Sequence, residues 1–540
     1  MTTITDKKNN GIYYTPSELA NFAAKLGIAK VNSSILDPCY GDGALLLAAH
    51  KRLRQVGSIS PARQIFGYDI APPGKNLPRN KQNPLFHKGK LRKGTFFSAI
   101  KERRNKFDVI LMNPPFVRHQ LISSVKQKRL RNIVNSSSVL PGTSDLWVYF
   151  IIHSLKFIRK GGNLVAILPW SFLYADFAKC VRELLFEKFG TLHVAVLGKR
   201  MFERAEERIL VVVGGNFGSS STEVGVHYSF NVPKEEISWT TAQKKTWLGS
   251  PWLSLLNSDI QKVLSDLAKN LGFDSLGRFA KTRIGTVTGA NNFFILERKA
   301  AKRIQLPRKI LKPIITHTRD LHKLTIDASD DITHVIVLIP EDFELPQSLK
   351  RYIKMGKKKG LHKRYHTEKR LKWYSIPNQK PPDGFLHYMT KEVPFLVLNS
   401  NGLLSTNTVH QVEFLDEVDE NTKKWIQFSM LTSISQVSAE LVGRTYGGGV
   451  LKIEPTAAGK IMVYPGNGHS FPEGLRNKLN AYLVKGRRLD AVELADKWII
   501  ANLAVSKEDM DFVKECYQNI RGIRLGKNEL RPEEGLRRHT

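Results

Sequence analysis

Cysteine is almost missing from this chain. Its 540 residues hold three, Cys39, Cys180 and Cys516. They stand too far apart for a disulfide framework or for the close pairs of a zinc site. The expectation is a reducing cytoplasm and no metal. No apolar run is long enough to cross a bilayer, and the opening Met1-Thr2-Thr3-Ile4-Thr5-Asp6 has no apolar signal core, so no membrane association is expected. Acid is the other scarcity. Asp and Glu number 49 against 83 Lys and Arg, a formal charge of +34. Such an excess favours a polyanionic partner, most simply nucleic acid, and no basic amphipathic helix or lipidation motif argues for lipid instead.

What is present begins with alternation. Apolar runs at 35–37, 65–70, 107–112, 164–168, 192–197 and 209–217 are separated by helical patterns, which predicts a doubly wound α/β sheet of Rossmann-like kind over 35–217. Glycine and serine at 218–221 mark a change of texture. The domain boundaries read from this are 1–220, then a mixed α+β part over 221–470, then a helical extension over 471–540. Before the first strand, Tyr14-Thr15-Pro16-Ser17-Glu18 opens a helix, with Thr15 expected as its cap. Asp145 to Arg159 is expected to be one amphipathic helix closed by Gly161 and Gly162, and 117–145 a long mobile loop.

Three strand ends carry polar chemistry. Asp37-Pro38-Cys39-Tyr40-Gly41-Asp42-Gly43 follows the first strand, and its glycines permit a sharp turn with close backbone approach before a helix N-terminus. Asp69 closes the second strand, where nucleoside-binding units place an acid for ribose hydroxyls. Asn113-Pro114-Pro115-Phe116 follows the strand Phe107–Met112. Two prolines remove two donors and fix the backbone. The turn thus offers the Asn113 amide oxygen and the Pro114 carbonyl as acceptors, with an aromatic face beside them, a set that suits an amino group with two N–H bonds. Taken alone, the tetrapeptide fits equally a proline turn with Phe116 in the core.

The later chain is basic with interleaved aromatics. Lys363, Arg364, Arg370, Trp373 and Tyr374 lie in the run 351–374, which reads equally as a solvated face or as a nucleic-acid surface. Arg444-Thr445-Tyr446-Gly447-Gly448-Gly449 suits a phosphate contact or a tight turn. Both are carried as candidate DNA contacts.

In this order, Tyr14-Thr15-Pro16, Asp37 to Gly43, Asp69 and Asn113 to Phe116 resemble the S-adenosylmethionine-dependent amino-methyltransferases of DNA. The order is that of the γ class of adenine-N6 methyltransferases in type II restriction-modification systems, to which the TaqI methylase belongs. Gly285-x-x-x-Gly289-Ala290-Asn291-x-Phe293-Phe294, Arg370-x-x-Trp373-Tyr374 and Tyr446-Gly447-Gly448-Gly449 look like its target recognition domains.

The resemblance implies that S-adenosyl-L-methionine is the cofactor. Thr15, Asp37, Pro38, Gly41 and Gly43 would hold its methionine part, Asp69 its ribose and Phe96 its adenine. Asn113, Pro114, Pro115 and Phe116 would form the catalytic turn, with Phe116 and Phe217 stacking on a flipped target base. Thr95 stands where the family usually has an acid. The implied partners are double-stranded DNA and a cognate restriction endonuclease that need not touch the enzyme, and a monomer is expected. A methyltransferase of another amino nitrogen (cytosine N4, RNA or protein glutamine) and a non-catalytic DNA-binding protein are the alternatives.

Overall fold

The computed structural model describes residues 14–70, 90–98, 106–134, 140–141, 143–199, 201, 208–249, 259–327, 330–376, 379–446, 449–503 and 505–525. They form two compact units, Met1–Ser258 with Gly522–Thr540, and Asp259–Arg521.

The first unit is built on a nine-stranded sheet in the order β3-β2-β1-β4-β5-β7-β6-β8-β9. The strands are β1 (Ile35–Asp37), β2 (Ile65–Asp69), β3 (Lys90–Lys93), β4 (Phe107–Met112), β5 (Ile158–Pro169), β6 (Phe189–Leu197), β7 (Ile209–Phe217), β8 (Glu223–Ser229) and β9 (Thr240–Gln243). From β3 to β5 all neighbours are parallel. A parallel sheet needs cover on both faces. Ile35, Val109, Leu111, Val165 and Ile167 turn one way, into a cluster with helix α1 (Ser17–Gly27) and α2 (Ala44–Gln55). Leu36, Ile110, Met112, Ala166 and Leu168 turn the other way, against α3 (Ser124–Val134), α4 (Leu146–Ser154) and α5 (Lys179–Lys188). The doubly wound expectation holds.

Several local expectations are corrected. All nine residues of α4 are buried, so it is a core helix rather than an amphipathic one, and it stops at Ser154. Lys160-Gly161-Gly162 does not cap it but lies within β5. There the β4 pairing jumps from Phe107↔Ile158 to Val109↔Asn163, and Gly161 takes a left-handed φ of 76° to carry the irregularity. The 117–145 stretch contains α3, so it is not simply a loop. The boundary at 220 is also too early. β8 pairs with β6, and β9 with β8, so this segment completes the first sheet.

The second unit holds a five-stranded sheet of Ala280–Ile284, Val409–Phe414, Gly384–His387, Leu396–Asn399 and Thr325–Ile326, in that order, and a four-stranded one beside it in sequence. The expected helix at 422–443 is two, Glu420–Ser429 and Ser433–Val442, because Thr432 caps the second by accepting from the Ser435 N–H at 3.3 Å. The helical stretch from 471 is no separate extension. Buried Asp496 accepts from the Ser433 N–H at 2.8 Å and from its hydroxyl at 2.6 Å, which ties helix Arg488–Asn502 into this unit.

Helix α1 lies close enough to the sheet that Gly27 has no room for a side chain. A Cβ there would stand 2.5 Å from Val165 Cγ2 and 3.2 Å from Val109 Cγ1, both on branched, buried strand residues. Gly27→Ala is expected to lower the unfolding free energy by about 1–3 kcal/mol in urea titration, the range for overpacking a filled core.

Candidate active site and nucleic-acid interface

β1, β2 and β4 run parallel as neighbours, so Asp37, Asp69 and Asn113 emerge together at the carboxyl edge of the sheet, where open α/β sheets bind ligands. The turns there are bonded to one another. Cys39 donates its thiol to the Asn113 carbonyl at 3.4 Å, joining the first turn to the third. One Asp69 oxygen accepts from the Gly41 N–H at 2.8 Å, joining the second to the first. Gly41 and Gly43 hold φ of 54° and 87°, which a side chain would resist.

Asp37 is the electrostatic centre. One of its oxygens accepts from the Cys39 N–H at 3.0 Å, while the other is buried with no hydrogen-bond partner among the described residues. Burial pushes its pKa up to about 8, the Cys39 N–H opposes this, and nearby Asp69 and Asp42 add to the rise. Burial likewise pushes the Cys39 thiol well above its ordinary value, so it stays a neutral donor. A buried carboxyl with a spare acceptor, under a left-handed glycine turn, fits the ammonium of an amino-acid moiety.

Thr15 is not the helix cap. α1 begins at Ser17 with Pro16 as its cap residue, and no side chain closes it. The Thr15 hydroxyl is engaged elsewhere: it accepts from Asn113 Nδ2 at 2.9 Å. That contact, with the amide nitrogen towards Thr15, leaves the amide oxygen as the other end of the group. Beyond the turn, Val117 O accepts from the Leu146 N–H at 3.0 Å, and Asp145 accepts from the His119 N–H at 2.9 Å. The tetrapeptide is therefore held at entry and exit. Phe116 is half-buried and packs against the α1–α2 cluster.

Two aromatic expectations fail. Phe96 is 2% exposed. Tyr68, Phe150, His153 and Phe157 enclose its ring, so it has almost no surface for a cofactor. The half-buried neighbour is Phe97, one residue on. Thr95, in the place of the usual acid, has its hydroxyl accept from the Phe97 N–H at 3.4 Å. Phe217 is at the wrong edge. β7 runs antiparallel to β5, pairing Ile209 with Pro169 at the carboxyl edge and Gly214 with Leu164 further back, so Phe217 ends at the amino edge against Phe189. The start of β7, at Ile209, and not its end stands at the carboxyl edge. Strand direction is the signal that was missing, since an apolar run reads the same in both directions.

In the second unit, part of the expected DNA set is used internally. Arg370 donates through Nη2 to the carbonyls of Val287 and Thr288 at 3.1 and 2.9 Å, with its guanidinium 5.3 Å from the Phe294 ring centre. Trp373 and Tyr374 pack on the Phe293 cluster. Arg370 braces the 285–289 turn, and Arg364 adds a bond from Nη1 to the Gly289 carbonyl at 3.4 Å. Gly285 belongs there because a Cβ would stand 2.1 Å from the Thr406 carbonyl. Lys363 and Arg364 are exposed. Arg444 is half-buried on a short strand, and the Tyr446 side chain and Gly447 lie outside the described residues. Among the described residues no group of His, Cys, Asp or Glu is arranged to hold a metal, and no helix is long and apolar enough to cross a membrane.

Comparison with known proteins matches both halves. The family described as N-6 DNA Methylase matches residues 1–213, and the one described as Type II methyltransferase M.Eco57I, C-terminal domain, matches 249–500. The type II methyltransferase M.AccI of Acinetobacter calcoaceticus is 22% identical over 381 residues, spanning 67% of this chain and 69% of its own. The type II methyltransferase M.XamI of Xanthomonas campestris pv. amaranthicola is 21% identical over 483 residues, spanning 84% and 85%. In fold, the chain is similar to the Type IIL restriction-modification enzyme MmeI, solved in complex with DNA, with a TM-score of 0.56 at 13% identity over 96% of this chain and 75% of that one. With the strand-end acceptors and both halves matched in this order, residues 1–213 belong to the N-6 DNA methylases, and the chain is similar over most of its length to methyltransferases of type II restriction-modification systems.

Proposed function

We propose that the chain transfers a methyl group from S-adenosyl-L-methionine to adenine N6 at a specific site in duplex DNA, and that Asn113 and Pro114 hold the target amino group. The observation that carries this is the Thr15–Asn113 contact at 2.9 Å, which fixes the amide at the sheet edge beside Asp37 and Gly41. The motif order supports the γ class. Protection of DNA from a cognate restriction endonuclease, action as a monomer and a cytoplasmic location complete the reading.

When bound, S-adenosyl-L-methionine supplies an electrophilic sulfonium methyl. The chain does the rest by placement. Asp37 takes the ammonium of the methionine part, the Gly41–Gly43 turn its carboxylate end, and Asp69 the ribose, while it also holds Gly41. For the adenine, Phe97 replaces Phe96, whose ring is spent in the core. A target base inside a duplex must leave the stack, at a cost of a few kcal/mol, and stacking on Phe116 returns about 1–3 kcal/mol. The adenine amino lone pair is delocalised into the ring. Asn113 Oδ1 and the Pro114 carbonyl would accept its two N–H bonds and draw the nitrogen towards a tetrahedral shape, which would free the pair to bond the methyl carbon as the methyl–sulfur bond breaks and S-adenosyl-L-homocysteine departs. The surplus proton on nitrogen then passes to water.

Asn113→Ala is expected to lower kcat by about a hundredfold or more, with cofactor affinity largely kept. Labelled methyl transfer to duplex DNA, followed by digestion to nucleosides, reads this and the base together. Label in N4-methylcytosine, in RNA or only in protein would replace the adenine assignment.

Thr15 is proposed to position Asn113. Thr15→Val is expected to cost about 10–100-fold in kcat while KM for the cofactor stays within about threefold, and Thr15→Ser to restore kcat. A rise in cofactor KM with kcat intact would return Thr15 to a purely cofactor-binding role.

The Asp37 carboxyl, at about 8, is mostly protonated at pH 7. An ammonium favours its ionised form, so binding expels a proton. Cofactor affinity is expected to rise up to about tenfold per unit from pH 6 and to level off near 8, where the ligand's own amino group begins to lose charge. Calorimetry in buffers of different ionisation enthalpy should show proton release at pH 7. Asp37→Asn should bind more weakly and release none.

A further inference from the structure

Basic residues crowd the segment 347–374, in which Glu368 is the sole acid. Helix Gln347–Lys358 exposes Arg351, Lys354, Lys357 and Lys358, and Lys359, Lys363, Arg364, Lys369 and Lys372 follow on the surface. Three large apolar side chains stand among these charges. Leu371 is 85% exposed, Tyr365 67% and Met355 41%. An apolar residue set in open water among like charges gains nothing from folding.

Leu371 is also rigidly presented. Its neighbour Arg370 is clamped to the carbonyls of Val287 and Thr288, Lys372 donates to the Glu341 carbonyl, and Trp373 packs on Phe293. Lys369 lies over the Tyr365 ring at 3.9 Å, which pairs a cation with the second exposed apolar side chain of this segment. A stiff apolar tip within an exposed basic segment matches one polyanion in particular, duplex DNA, whose phosphates flank an apolar stack of bases. Proteins that distort DNA use such side chains as wedges between base steps, with basic residues on the backbone around them.

We propose that Leu371 is a wedge that inserts into the base stack of bound duplex, with Tyr365 as its flanking contact and the surrounding lysines and arginines on the phosphates. The proposal rests on DNA being the substrate. It assigns to an exposed leucine the deformation of the duplex, which neither Arg370 nor Trp373 is exposed to perform.

Closed circular plasmid provides a probe that needs no recognition sequence. The full chain, without cofactor and at low salt, is bound to relaxed plasmid, topoisomerase I is added, and linking number is read after deproteinisation. A wedge unwinds the duplex. The wild type is expected to shift the topoisomer distribution in proportion to bound protein, and Leu371→Ala to reduce the shift per bound protein at least twofold. Affinity by filter binding should stay within about threefold for this surface variant, and Leu371→Met should retain the shift. Equal shifts for wild type and Leu371→Ala, or binding by both with no shift, would overturn the wedge and leave the methyltransferase reading standing. Failure of the wild type to bind plasmid at all would remove the DNA surface itself. A change of oligomeric state on Leu371→Ala, seen by light scattering, would make the leucine a contact between copies and overturn the proposal.

Discussion

A single hydrogen bond, from the Asn113 amide to the Thr15 hydroxyl, joins the stretch that leads into α1 to the turn that follows β4. Its effect depends on everything beneath it. Parallel pairing of β2, β1 and β4 brings three turns to one edge, and Cys39 and Asp69 then bond those turns to each other. Gly27 lets the far end of α1 press onto β4 and β5. Each of these contacts is modest, about 1 kcal/mol when counted alone. Together they remove the rotational freedom of one amide, and it is this freedom that a positioning mechanism cannot tolerate.

The charge of the chain is divided by purpose. The whole molecule carries +34, yet Asp37, Asp42 and Asp69 gather at the sheet edge. Burial pushes the carboxyls of Asp37 and Asp42 up, that of the more enclosed Asp37 to about 8. The edge therefore favours a cationic ligand, and the basic surface of the second unit favours a polyanionic one. The two substrates of a DNA methylase have these opposite signs, and segregating them keeps each from the other's place.

Much of this was readable beforehand. Strand ends at Asp37, Asp69 and Asn113 followed from apolar runs that stop at glycine, acid and proline, and the doubly wound sheet followed from their alternation. What escaped has physical reasons. Thr15 has the spacing of a cap, and only the fold reveals that its hydroxyl meets Asn113 98 residues away. Phe96 and Phe97 are identical in type, so only packing separates the buried ring from the partly open one. Phe217 was misplaced because hydropathy carries no direction, and β7 is reversed. The boundary at 220 was set by a glycine-serine turn, whereas backbone pairing carries β8 and β9 onto the same sheet. Arg370, Trp373 and Tyr374 have the composition of a nucleic-acid motif, but composition does not distinguish a cation aimed at phosphate from one aimed at a carbonyl.

That last distinction bears on how new specificities arise. The Arg370 guanidinium, the Val287 and Thr288 carbonyls and the crowded Gly285 backbone form a frame held by contacts within the second unit. Nothing in that frame needs to know a DNA sequence. In the proposed function, the second unit is a mount for the residues on its outer side, which take no part in this frame. A library aimed at a different target would do best to leave the mount untouched and vary only what protrudes from it.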